Sequence, residues 1–239
     1  VNFVGGGGKT ALIYKLMAEY CSEGSILYTT TTRIHPPDPI EGIAVVSSAN
    51  ISMLKAIVNQ IGQSRGQQQQ KIAITGAFMS TTLLRGVPTD FFGEIDRCPF
   101  PILLNEADGA AGFSLKMPNE HEPVLMESAE YMVPVIGIDC LDKTLGPETV
   151  FRWKSVAGSF PFYEGQKITP QLASDVLMHP DGVCRHWKPG VKIIPFINKV
   201  DTPLQDEVAL ELANAIRLNG KFPIERIVYG SVIERRVFS

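Results

Sequence analysis

The chain has 239 residues, 44% of them hydrophobic and 20% charged, and a formal net charge of −3. That length can bury the core of a large α/β domain, and the faintly acidic balance excludes the electrostatic footprint of a nucleic-acid or anionic-membrane partner. Four cysteines (Cys21, Cys98, Cys140, Cys184) lie far apart with no CxxC pair, and no apolar run reaches the length of a spanning helix. This speaks against a disulfide framework, a zinc ribbon or a membrane protein and for a cytoplasmic one.

Val1 already reads as strand, so a short preceding piece is expected, with no signal peptide in view. Short runs rich in valine and isoleucine then alternate with helical patterns. Strands are expected at 1–4, 25–30, 43–46, 71–75, 101–105, 131–138, 191–197 and 226–229. Several are apolar almost throughout, as strands covered on both faces of a parallel sheet are. Helices are expected at 9–21, 51–61, 89–97, 170–178 and 203–218, the fourth opened by Thr169 as N-cap and Pro170 at the first helical position. In the last, Leu204, Val208, Leu212 and Ile216 recur at helical spacing and predict one buried face. The stretch 62–70 (GQSRGQQQQ) reads as a polar surface loop, and 151–165, rich in aromatics, glycine and proline, as a lid or small subdomain within 139–190. The βαβ rhythm predicts one α/β domain over 1–239: three layers, with a mostly parallel sheet and helices on both faces.

The opening stretch VNFVGGGGKT holds four consecutive glycines, which are costly to order without a reason. An apolar strand, a glycine turn, Lys, Thr and a helix form the pattern in which backbone N–H groups converge on phosphate oxygens. Gly5, Gly6, Gly7 and Gly8 supply the turn; Lys9 reaches the β/γ-phosphates, and the Thr10 hydroxyl binds Mg²⁺. One position departs from GxxxxGK[ST], since Phe3 stands where the first glycine falls, and Gly5 begins the curl instead. The fold expected is therefore P-loop NTPase-like.

Far downstream, Asn198-Lys199-Val200-Asp201 follows an apolar run and precedes a helix. An NKxD at a strand end reads guanine: the Asp carboxylate accepts from N1–H and N2–H₂, the Asn amide reaches the base edge, and the Lys stem packs along the ring. Adenine lacks the matching donors, so it leaves such a carboxylate poorly satisfied. Gly230-Ser231, after the last expected strand, places backbone N–H groups near the base. Asp201-Thr202 as a plain N-cap is the bland alternative, and GTP against ATP stays open. Strand 101–105 runs into EADGAAG, where Glu106 or Asp108 is the metal-side residue or orients the attacking nucleophile.

Other stretches are less specific. Thr29–Thr32 with Arg33 is either β-branched sheet or a contact to Mg²⁺ or the γ-phosphate. Lys116, Glu120, His121 and Glu122 lie in a polar loop, and Asp139, Asp142, Lys143 and Arg152 follow a strand; all are substrate-side candidates. His179, Cys184 and His186 match no standard ligand spacing.

In chain order, VGGGGKT, TTTTRI, EADGAAGFSLKMPNEHEPV, GIDCLDKTLG, ITPQLASDVLMHPDG and INKVDT together resemble the YqeC family. The resemblance spans nearly the whole chain. It implies a P-loop nucleotide-binding protein that acts in maturation of selenium-dependent molybdenum hydroxylases. By position it makes Gly5–Thr10 the phosphate loop, Glu106–Gly109 the acidic motif and Asn198–Asp201 the base-side motif. Ala110 and Phe151 depart from the family pattern of Ser or Arg after the Asp-Gly and His before the arginine. The expectation is thus a Mg²⁺-dependent purine nucleotide (GTP or ATP) binder and hydrolase. Its partners are the nucleotide and a molybdenum hydroxylase or the machinery that inserts its cofactor, not nucleic acid or membrane. Lys9, Glu106 and Asp108 are the catalytic candidates; Thr10, Glu106 and Asp108 are the metal-side ones. Two readings compete: a small-molecule kinase or ligase holding its acceptor with Lys116, His121 or Arg152, and a non-catalytic module tuned by nucleotide.

Overall fold

Valine- and isoleucine-rich runs that do not alternate with polar residues need cover on both faces, and a parallel sheet provides it. The computed structural model describes residues 1–20, 25–37, 42–63, 70–96 and 100–239, so Cys21, Cys98 and most of the glutamine-rich stretch lie outside the described residues. In chain order its elements begin with β1 (Asn2–Gly5), α1 (Lys9–Glu19), β2 (Ile26–Thr30), β3 (Ala44–Ser47) and α2 (Ile51–Gln63). Next come β4 (Lys71–Thr75), β5 (Phe78–Ser80), β6 (Leu83–Leu84), α3 (Thr89–Asp96), β7 (Ile102–Glu106), β8 (Leu115–Lys116) and β9 (Tyr131–Gly137). The remainder is β10 (Val150–Phe151), α4 (Trp153–Ser159), α5 (Pro170–Met178), β11 (Lys192–Ile193), β12 (Phe196–Asn198), α6 (Pro203–Asn219), β13 (Val228–Ser231) and β14 (Arg236–Phe238). Among the described residues, ten strands belong to a mainly parallel sheet, which is the α/β class expected.

The chain divides into two compact units. The first comprises Val1–Asn2, Thr10–Gly109 and Val124–Ala129. Its strands run in the order β7–β2–β4–β3, all parallel, with Tyr28 beside Leu104 and Thr30 beside Glu106. All five residues of β2 are buried. Leu27, Ile72 and Ile74 from the sheet pack with Leu54 and Val58 of α2 and Phe91 and Ile95 of α3. The segment 124–129 is pinned by amides. Asn2 Oδ1 accepts from Met126 N (2.9 Å) and Asn105 Nδ2 (2.8 Å), and Asn105 Nδ2 also donates to Val124 O (2.9 Å).

The second unit comprises Phe3–Lys9, Ala110–Pro123 and Glu130–Ser239. Its order is β14–β13–β12–β9–β1, with β11 also on β9; β14 is antiparallel, returning along β13. The strand expected at 191–197 is interrupted. Pro195 has no N–H to donate, so β11 and β12 are two pieces laid on β9 in one continuous register. Thr169 caps α5, its hydroxyl accepting from Leu172 N at 3.2 Å with Pro170 following, as the sequence indicates. The buried face of α6 needs correction: it is Ala209, Leu212, Ala213 and Ile216, while Leu204 is 83% exposed. Leu204 lies in the first turn, where the pattern begins before the packing does. The aromatic stretch after Phe151 forms α4, entered through Arg152 in a left-handed conformation. No described helix is long and apolar enough to cross a membrane.

Candidate functional site

β1 ends in Gly5 and α1 begins at Lys9, so the glycine run is the whole connection. Gly5, Gly7 and Gly8 have φ of +94°, +76° and +105°, a region that side-chain-bearing residues rarely adopt. The run also needs glycine for closeness: a Cβ at Gly6 would stand 2.5 Å from the Phe113 carbonyl oxygen. Two of its N–H groups are spent inside the second unit, Gly6 N–H on Val135 O (3.0 Å) and Gly7 N–H on Phe113 O (2.9 Å). The glycine run therefore offers fewer N–H donors than the sequence suggests, those of Gly6 and Gly7 being already used. Lys9 is 3% exposed, and its Nζ curls back to donate to Gly5 O at 2.5 Å.

In the first unit, the Thr10 hydroxyl donates to Glu106 Oε2 at 2.7 Å, and the fully buried Tyr28 donates to the same oxygen at 3.0 Å. Parallel pairing of β2 with β7 makes this possible by aligning Thr30 with Glu106, and Thr30 Oγ1 donates to the Glu106 carbonyl at 2.8 Å. Burial, and next the Glu106 charge, push the Tyr28 phenol well above its ordinary value, so it remains a donor. Asp108 is buried two residues on. A hydroxyl and carboxylate at this spacing are hard oxygen ligands of the type Mg²⁺ takes, so the residues fit that ion. Of the threonine tract, Thr29 and Thr30 spend their hydroxyls on neighbouring carbonyls. The role of Tyr28 is missed from sequence, although a phenol inside the apolar run ILYTT signals a need for a buried acceptor.

The Asn-Lys-Val-Asp segment belongs wholly to the second unit. Asn198 does not present its amide to an open edge. Nδ2 donates to Gly7 O at 2.7 Å, and Oδ1 accepts from Val232 N at 3.2 Å. Lys199, with φ +65°, donates to Ser114 Oγ (2.7 Å) and pairs with Asp139 Oδ2 (3.1 Å). Burial raises the Asp139 carboxyl, but the Ser114 hydroxyl and the Lys199 ammonium outweigh it and hold the group below its ordinary value. Val200 N–H donates to Gly230 O. Asp201 alone keeps an exposed side chain, whose carboxylate has no hydrogen bond or ion pair among the described residues. Ser231, read as lying near a base, accepts from Glu234 N at 2.9 Å.

The substrate-side candidates separate into buried and exposed. Fully buried Lys116 and partly buried Arg152 both bind Glu122, at 2.8 Å and, bidentately, at 2.6 and 3.1 Å. The guanidinium stacks 4.6 Å over the Phe151 ring. Burial raises the Glu122 carboxyl, yet bonds from Arg152 and Lys116 prevail and lower it. His121 is instead a surface group, its side chain 85% exposed beside Glu120. His179 packs edge-on against Phe160, and Cys184 faces Met178. Burial pushes the Cys140 thiol up to about 12 and raises Cys184 further. Both are thus poor thiolates.

The molecule is thus an α/β protein whose glycine turn opens a helix and whose Asn-Lys-Val-Asp turn leaves one carboxylate outward. The chain belongs to the YqeC family, whose profile, described as YqeC protein, matches residues 1–154. Over 98% of its length it is 28% identical to the uncharacterized protein YqeC of Escherichia coli (strain K12), 88% of which the match covers. No solved structure matches. The profile takes in the glycine run and Glu106–Asp108, while the full-length relative extends the likeness past Asp201.

Proposed function

We propose that the chain binds a Mg²⁺-bound purine nucleoside triphosphate, GTP or ATP, and hydrolyses it as a maturation factor for a selenium-dependent molybdenum hydroxylase. The observation that carries the nucleotide reading is the bond from Asn198 Nδ2 to Gly7 O, which fastens the base-side motif to the glycine turn within one unit. In this reading Lys9 and the N–H groups from Gly8 onward hold the phosphates. Asp201 reads the base. On the metal side, Thr10 and Glu106 hold the ion through oxygen, and buried Asp108 orients its water or the attacking one. Magnesium, when bound, supplies neutralisation of charge on the phosphate oxygens. The protein's own contribution is positioning, since a rigid turn and paired side chains need little reorganisation. The maturation role is supported by family membership together with the motifs that carry it.

Calorimetric titration with GTP and with ATP, each with Mg²⁺, tests the binding. Tight binding that Lys9→Ala lowers by at least about tenfold supports it. Binding unchanged in Lys9→Ala overturns it. Phosphate release tests the chemistry: Glu106→Gln is expected to slow it about 10²-fold, and an unchanged rate removes Glu106 from the reaction.

A further inference from the structure

Asp201 combines an exposed carboxylate with a backbone fixed on both sides, and the fixing groups come from elements outside the Asn-Lys-Val-Asp motif. Its N–H donates to Gln205 Oε1 at 2.8 Å. The same oxygen accepts from Thr202 N at 2.9 Å and Thr202 Oγ1 at 3.1 Å, which is how α6 is capped. On its other side, the Asp201 carbonyl accepts from Arg236 Nη1 at 3.4 Å. Arg236 is itself immobilised, because its Nη2 reaches both carboxylate oxygens of Asp206 at 3.1 Å. Its guanidinium also lies over the Phe238 ring at 5.5 Å.

Strand geometry brings the arginine there. β14 returns antiparallel along β13, setting Arg236 opposite Ser231 and Val237 opposite Gly230. Gly230 is required at that point, because a Cβ would overlap the Arg236 carbonyl. The carbonyl of Gly230 in turn accepts from Val200 N, so β14, β13 and the motif are joined through one glycine.

We infer that Arg236, seconded by Gln205, is a specificity-determining positioning residue: it fixes the Asp201 backbone so that the carboxylate meets the N1–H and N2–H₂ donors of a guanine base. This rests on the nucleotide reading above. A carboxylate discriminates between bases only if its two oxygens are held where the donors arrive, and a loop anchored only at its ends leaves them to wander. Arginine suits the task because its fork divides the work: Nη2 reaches both Asp206 oxygens, and Nη1 is left for the Asp201 carbonyl. Lysine carries the charge without the fork.

The test is the ratio of GTP to ATP affinity, measured by calorimetry with Mg²⁺ on the full chain and on Asp201→Asn, Arg236→Ala, Arg236→Lys and Asp206→Asn. Asp206→Asn releases the arginine without removing it, so it reports even where Arg236→Ala fails to fold. Expected is a wild-type preference for GTP, abolished by Asp201→Asn. Arg236→Ala and Asp206→Asn then reduce it about tenfold, with ATP affinity unchanged, and Arg236→Lys restores only part of it. A purely structural role would lower both affinities together, which overturns the inference. Full preference in Arg236→Ala and Asp206→Asn, with none in Asp201→Asn, also overturns it and leaves the nucleotide reading standing. A wild type without preference, or one that Asp201→Asn leaves intact, overturns guanine reading by Asp201 itself.

Discussion

Two charged regions of the second unit use their side chains in opposite ways. At Glu122 the charges answer one another: one carboxylate holds buried Lys116 and the fork of Arg152. Around Asp201, the backbone N–H and carbonyl are held by Gln205 and Arg236, while the carboxylate is left to solvent. Sequence alone gives both regions the look of a site, since each clusters ionisable residues after a strand. Accounting for partners separates them: a charge already answered within the chain is a structural strut, and a charge held in place but unanswered is available to a ligand.

That contrast breaks most sharply at Glu122. Glu122→Gln leaves the fully buried Lys116 facing a neutral amide, and the expected cost is about 3 kcal/mol of stability in chemical denaturation. A loss below about 0.5 kcal/mol would place the pair among ordinary surface bridges. Acid is the second way in. The Glu122 and Asp139 carboxyls are both held below their ordinary 4.5 and 3.8, so the unfolded chain takes up protons first as pH falls. Their stabilisation is complete above those ordinary values and is lost as pH drops through the lower folded ones. Melting temperatures should therefore fall below about pH 4.5 in the native chain, and Glu122→Gln should flatten that fall. At the acidic strand end the effect is smaller. Tyr28→Phe removes a donor to Glu106 Oε2 and should cost about 1 kcal/mol in the same denaturation measurement. Smallest of all is Asp201→Asn, expected to change stability by less than about 0.5 kcal/mol. A larger loss would show that its carboxylate is a strut after all.

Local chemistry was largely legible. Apolar runs gave β1, β2, β4, β7, β9 and β13 to within a residue or two, and Thr169-Pro170 gave the start of α5. Hidden from sequence were features decided by distant neighbours. Nothing local shows that Gly6 and Gly7 would lend their N–H groups to Val135 and Phe113, or that Lys199 would find Ser114 and Asp139. Leu204 keeps helical spacing yet points to water, because spacing cannot tell where packing stops. Arg236 escaped notice for a further reason: β14 is three residues long, too short for a period to be read.

The amide of Asn198 joins Gly7 to Val232, residues separated by most of the chain. During synthesis, β1 therefore waits for β9 to emerge before it has a neighbour within its own unit, and the glycine turn waits longer still, until Asn198 arrives. A turn made early is thus set late: the glycine run stays unfinished in the nascent chain until Asn198, 191 residues after Gly7, has been made.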